Sequence, residues 1–212
     1  MPDSAQASQA PSRPPQKRLT ASLRRASIIT ATIPLFAERG FGSTTTAAAA
    51  AAANVNEALI FRYFQSKHGL FLACVDECWA IVQRECEQRM NELPEAERWK
   101  GFGGGFLSLI RDQPAIARMW VRFLVETTGV PETDLHLEMI MGQVHEFASR
   151  AIEQSQQAGG IGADRDPGTE AWILISLGLL GSVGSRLPQL AGEPFEHVVA
   201  AHRLWLTATA GQ

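Results

Sequence analysis

The side chains best placed to do chemistry in this 212-residue chain are a threonine pair and a short cationic segment. Thr45 and Thr46 offer hydroxyls. Arg62, Tyr63 and Lys67 offer a guanidinium, a phenol and an ammonium. No catalytic set is assigned. All can donate hydrogen bonds, and donors grouped in this way suit phosphate oxygens and base edges. Arg62 can meet a phosphate or a guanine. Tyr63 is the only tyrosine in the chain. Lys67 opens a helix, where a cation opposes the helix dipole. A phosphate placed there relieves that conflict and also takes the free amides of the first turn.

Local pattern predicts the elements that carry these groups. A first helix runs from Thr20 to Arg39 with Leu23, Ile28, Ile29, Ile33 and Phe36 inward. Pro34 should kink it, and Gly40 should stop it. Thr44 or Thr45 caps a second helix. Its body is the alanine run 47–53, which favours helix but buries little area. Asn54 suits a left-handed turn residue and Val55 packs inward. Asn56 caps a third helix, with Glu57 in its first turn. Ile60, Phe61 and Phe64 supply its apolar face, and Ser66 caps a fourth helix. A short helix, a tight turn and a second helix with polar and cationic side chains is what a major-groove reader needs. Glu57, Ala58 and Leu59 then lie on the exposed turn that meets base edges. There an apolar group can touch a thymine methyl, and Glu57 can accept from cytosine or answer the helix dipole.

Charge agrees with this placement. The chain carries −3 overall, yet residues 1–70 hold eight cations against three anions, +5, and the remainder carries −8. A basic head on an acidic body puts the polyanion-binding surface at the N-terminal end. Residues 1–18 read as a disordered basic tail. Cys74, Cys78 and Cys86 are too few and too close for a secreted disulfide framework. Their spacing puts them on one apolar helix stripe, which points to buried structural thiols ahead of a metal or thiol sensor. No cofactor is implied. There is no apolar signal segment, and the longest apolar stretch is too short to span a bilayer, so a cytoplasmic location is expected.

The rest of the chain reads as helix, giving an all-α protein of about nine helices. A fourth helix runs to the Leu93-Pro94 break, a glycine-broken helix covers Trp99–Ile110, and two more follow Pro114 and Pro131. AGGIGADRDPG is a loop. An eighth helix, about 168–187, is apolar nearly all round and needs partners on both sides. A ninth, about 194–209, shows Phe195, Val198, Val199, His202 and Leu206 on one side. Candidate pocket walls are Trp79, Trp99, Phe102, Phe106, Met119 and Trp120, with Phe123, Met139, Met141 and Trp172. Arg122, Glu126 or His145 would anchor polar groups of a hydrophobic or aromatic ligand.

Over about residues 25–75 the chain resembles the TetR family of transcriptional regulators, and beyond them it resembles the family in architecture alone. The matching residues are Leu35-Phe36-Ala37-Glu38-Arg39-Gly40-Phe41, Thr44-Thr45-Thr46, Ala50, Ala53 and Val55. Ile60-Phe61-Arg62-Tyr63-Phe64, Ser66-Lys67 and Leu70-Phe71 complete the set. The resemblance implies a homodimer whose helix-turn-helix head, residues 19–66, binds a palindromic DNA operator. Residues 67–212 would hold a small-molecule effector and the dimer contact. By the same resemblance, Tyr63 points its hydroxyl at phosphate, and Phe61 stands where tyrosine is commonest. Asn54 and Asn56 keep the local geometry where the family places Gly and Ser or Thr. Ala49 stands where a branched aliphatic is usual, which predicts a thin core under the second helix. Helices eight and nine would pair across a two-fold axis through Trp172, Ile175, Leu179, Leu180, Val183, Val198, His202 and Leu206. The rival readings are a small helical enzyme with a Cys/His site and a helical dimer without DNA binding.

Overall fold

The computed structural model describes residues 20–126, 130–184 and 193–208. The N-terminal tail, the last residues expected in the eighth helix and the side chain of Phe195 lie outside them. All regular structure among the described residues is helical. Three helices form the head: α1 (Ala21–Ser43), α2 (Thr46–Ala52) and α3 (Glu57–Phe64). The long α4 (Lys67–Asn91) leads into the body, which comprises α5 (Arg98–Asp112), α6 (Pro114–Glu126), α7 (Pro131–Gln157), α8 (Pro167–Gly184) and α9 (Glu193–Thr207). A short 3-10 turn, Glu95–Glu97, precedes α5.

The capping chemistry holds at each head helix. Thr45 accepts from the Ala48 amide, Asn56 from the Ala58 amide and Ser66 from the Gly69 amide. Each satisfies an amide that its helix leaves free. Asn54 sits at φ 52°, the left-handed turn conformation that Asn tolerates.

Several expectations need correction. Pro34 lies within α1 and its dihedrals stay helical; the break is at Gly40, φ 77° and ψ 175°, after which one further turn runs to Ser43. Leu23 is exposed because α1 begins before the body covers it. Phe61 is 48% exposed, so Ile60 and Phe64 are the buried residues of α3. The glycines of α5 do not break it. A Cβ at Gly101 would come 2.6 Å from the Met90 amide nitrogen, and one at Gly105 would come 2.9 Å from the Cys86 Cα. They let α5 lie against the backbone of α4, and that close packing offsets the helix penalty of glycine, about 1 kcal/mol each.

The alanines of α2 are not loosely held. Ala49 is 0% exposed and Ala50 3%, so α1 and α3 have closed over the short side chains. A larger residue there has no gap to fill. Ala49→Ile is therefore expected to overpack the head and cost about 1–3 kcal/mol. Thermal melting by circular dichroism checks this, and a raised Tm would restore the loosely packed head.

Candidate functional site

The first site is the outer face of α2 and α3. Ala58, Phe61 and Arg62 are exposed along α3, and Asn56 and Thr45 are exposed at the two helix starts. The Arg62 guanidinium lies 6.0 Å from the Tyr63 ring centre. Tyr63 and Leu59 are half-buried and pack against the core, so Leu59 is less free than the sequence suggests. Thr45 combines two roles in one hydroxyl. Its oxygen accepts from Ala48, 3.1 Å away, and its proton remains available to an outside acceptor. Thr46 is differently used. Its hydroxyl donates to the Glu57 carboxylate at 2.5 Å and ties the start of α2 to the start of α3. Glu57 is thus held by Thr46 and faces the positive end of α3, which leaves less of it for a base.

Lys67 also has a structural partner set. Its ammonium donates to the carbonyl of Phe41 at 2.9 Å and to that of Gly42 at 3.4 Å, and it sits 4.3 Å from the Phe41 ring centre. The charge that would oppose the α4 dipole is instead spent on carbonyls just past the Gly40 break.

That same turn is gripped from α6. The Phe41 amide donates to Glu126 at 2.8 Å, and Arg122 donates to the Glu38 carbonyl at 3.1 Å while pairing with Glu126. Arg122 and Glu126 are therefore not pocket anchors. They form a clamp between the body and the head. Their spacing of four residues was legible as a helix pair, but its outside partner was not.

The second site is a cavity inside the body. It encloses roughly 900 Å³ of atom-free space only when the open solvent at its mouth is counted in, and its walls are mostly apolar. Trp79, Trp99, Phe102, Phe106, Trp120 and Met141 line it as expected. Met119 and Phe123 are buried in core away from it, and Met139 faces solvent. His145 and Trp172 stack on each other, centres 4.6 Å apart, and His145 bonds the Gly168 carbonyl. They brace α7 on α8 outside the cavity. Lys100, Val144, Val199 and Arg203 line it without having been singled out for it. They stand one or two residues from aromatic or apolar positions already legible on α5, α7 and α9.

The third site is the outer face of α8 and α9. Trp172 (47% exposed), Leu180 (41%), Val183 and Val198 lie on it, joined by Ile173, Leu204 and Trp205. Leu180, Trp172 and Ile173 also border a shallow open depression. Four of the proposed interface residues turn the other way. Ile175, Leu179 and His202 line the cavity, and Leu206 is fully buried. Because α8 is apolar all round, its pattern cannot separate the face toward the cavity from the face toward a partner.

All three cysteines are free and buried. Burial raises Cys74 and Cys78 well above the usual thiol range and pushes Cys86 up to about 12. These thiols stay protonated at neutral pH, so thiolate chemistry has no support there. Among the described residues no cluster of three or more His, Cys, Asp or Glu side chains could hold a metal, and no helix is long and apolar enough to cross a membrane.

Comparison with known proteins converges on the same head. Residues 28–74 match the model for bacterial regulatory proteins of the tetR family. The HTH-type transcriptional regulator BetI of Escherichia coli (strain K12 / DH10B) is 26% identical over 147 residues, which are 65% of this chain and 75% of that protein. The structure of Salmonella enterica GusR superposes with a TM-score of 0.73 at 20% identity, covering 91% of this chain and all of that one. AibR, solved in complex with isovaleryl coenzyme A and operator DNA, superposes with a TM-score of 0.64 at 18% identity, covering 87% of this chain and 98% of that one.

Proposed function

We propose that this chain, whose residues 28–74 match the model for bacterial regulatory proteins of the tetR family, is a DNA-binding transcriptional regulator of that family and acts as a dimeric repressor, released from a palindromic operator when its cavity fills. The domain boundary then falls near Ser66. Thr45, Asn56, Ala58, Phe61, Arg62 and Tyr63 face the DNA, with Glu57 and Thr46 shaping that surface, and Lys67, which keeps a third proton beyond its two carbonyl bonds, reaches a phosphate beside it. The body works in the cytoplasm, where its DNA is.

One observation carries the coupling. The α4 and α6 helices both contribute cavity walls, through Trp79 and Trp120, and both grip the turn at Phe41. Lys67 of α4 holds its carbonyl and Glu126 of α6 holds its amide. A ligand that displaces either wall pulls on the residue that sets where α2 begins. Two heads must meet two half-sites at fixed spacing, so a small rotation at this turn suffices to lose the operator. AibR's operator and isovaleryl coenzyme A complex supports the same pairing of functions in this fold.

The test is DNA binding against salt, followed by fluorescence anisotropy on DNA from upstream of the protein's own gene. Tyr63→Phe and Lys67→Ala are expected to weaken binding to all sequences about equally. The lysine change should also lower the slope of log affinity against log salt by about one. A base-specific loss with an unchanged slope would place Lys67 away from the phosphates and leave it only its carbonyl-bonding role. Absence of any salt-dependent binding would favour the helical dimer without DNA function.

A further inference from the structure

Apart from His202, whose Nε2 is engaged with Glu170, the polar side chains of the cavity wall are of one kind. Lys100, Arg203 and the indoles of Trp99 and Trp120 can only donate, and no carboxylate lines the space. Glu170 is buried nearby, but both its oxygens are taken, one by His202 Nε2 at 2.9 Å and the other by the Trp205 indole at 2.9 Å. Lys100 holds Glu97 at 3.0 Å. The Arg203 guanidinium has no hydrogen bond or ion pair among the described residues. The cations at this end therefore exceed the acceptors available to them.

The indoles add a second, independent sign. Trp99 is 2% exposed and Trp120 6%, and neither ring N–H has a hydrogen-bond partner. A buried donor left unpaired costs about 1–3 kcal/mol, and each such group requires an explanation. Both residues line the same cavity. Each nitrogen is covered as it stands, so an acceptor oxygen on an occupant pairs with it once the ring turns toward the cavity.

The cavity also has polarity along its length. His202 meets Glu170 in the first turn of α8, whereas Phe106 packs under Gly178, where a Cβ would lie 2.9 Å from its ring. Those α8 positions are about 12 Å apart along the helix. Around Gly103 and Gly104 a Cβ would meet nothing within 4 Å, so the wall between the ends is open to an occupant. The cationic end is at Arg203, beside His202, and the far end is aromatic.

We propose that the cavity binds an amphipathic organic anion. Its carboxylate lies at Arg203 and Lys100, its oxygens accept from Trp99 and Trp120, and its apolar body runs toward Phe106. This rests on the reading of the cavity as the effector site.

The experiment titrates the full-length protein with dodecanoate, dodecanol and dodecyltrimethylammonium below their micelle concentrations. Calorimetry and tryptophan fluorescence report binding, and DNA anisotropy in the same samples reports release. Dodecanoate should bind about tenfold or more tightly than dodecanol, with the ammonium weakest. Lys100→Gln combined with Arg203→Gln should bring dodecanoate down to the dodecanol level and leave dodecanol unchanged. Gly104→Trp should block both. Equal binding of acid and alcohol, preference for the cation, no binding of any probe, or a dodecanoate advantage that survives the double variant would each overturn the proposal. Dodecanoate binding that obeys these rules without releasing DNA would uphold the ligand class and overturn the coupling. Release by dodecanol alone would do the reverse.

Discussion

Leu180→Arg should convert the protein to monomers and abolish specific operator binding. Leu180 is 41% exposed in a single subunit, on a face shared with Trp172, Ile173, Val183 and Val198. A contiguous apolar patch of this kind marks a protein contact. A two-fold contact between identical helices presents the same residue from both sides. Each subunit would then bury an unpaired guanidinium against its copy. Leaving such charges uncompensated costs about 4 kcal/mol, or roughly a thousandfold in dimer dissociation. Leu180 lines no part of the cavity and touches no head helix, so the monomer should keep its helix content. Sedimentation and anisotropy on the same sample check both halves. A variant that stays dimeric and still binds the operator would place the interface elsewhere.

Gly40→Ala should have the second large effect, and its size should depend on Glu126. Gly40 sits at φ 77°, ψ 175°, a region essentially reserved for glycine and costing other residues about 1–3 kcal/mol. A Cβ there would also lie 2.5–2.9 Å from the Glu126 carboxylate, which accepts the Phe41 amide. Displacing that carboxylate adds about 1–3 kcal/mol. The sum, about 2–6 kcal/mol, predicts a Tm lower by about 4–24 °C for a chain of this size, together with loss of operator affinity because α2 starts from this turn. In an Glu126→Ala background the obstruction is gone and only the backbone strain remains. The two substitutions should therefore be strongly sub-additive. Strict additivity in Tm would mean that Glu126 does not occupy the space beside Gly40, and the clamp would lose its basis.

Much of this was legible in the sequence, for identifiable reasons. Caps at Thr45, Asn56 and Ser66 and the turn at Asn54 are local chemistry, so their residue types announce them. The stripe of Cys74, Val75, Cys78, Val82 and Cys86 is a simple period, and all of it is buried. What failed depends on the neighbour across the gap. Phe61 faces outward although its type suggests core. Gly101 and Gly105 look like breaks and instead admit the backbone of α4. Arg122 and Glu126 look like anchors for a ligand, yet their partners are a carbonyl and an amide some 85 positions earlier in the chain. On α8, only the third dimension divides Ile175 and Leu179 from Trp172 and Leu180.

The central claim is that two copies of the α3 face read two inverted half-sites. A genome-wide map of the bound DNA, followed by footprinting of the strongest sites, tests it most directly. The account predicts an enriched inverted repeat whose half-sites are protected together over the same concentration range, with centres about one helical turn or a multiple of it apart. The Leu180→Arg variant should lose that protection. A map with no enriched sequence, or footprints over single unrepeated half-sites that survive Leu180→Arg, would contradict it.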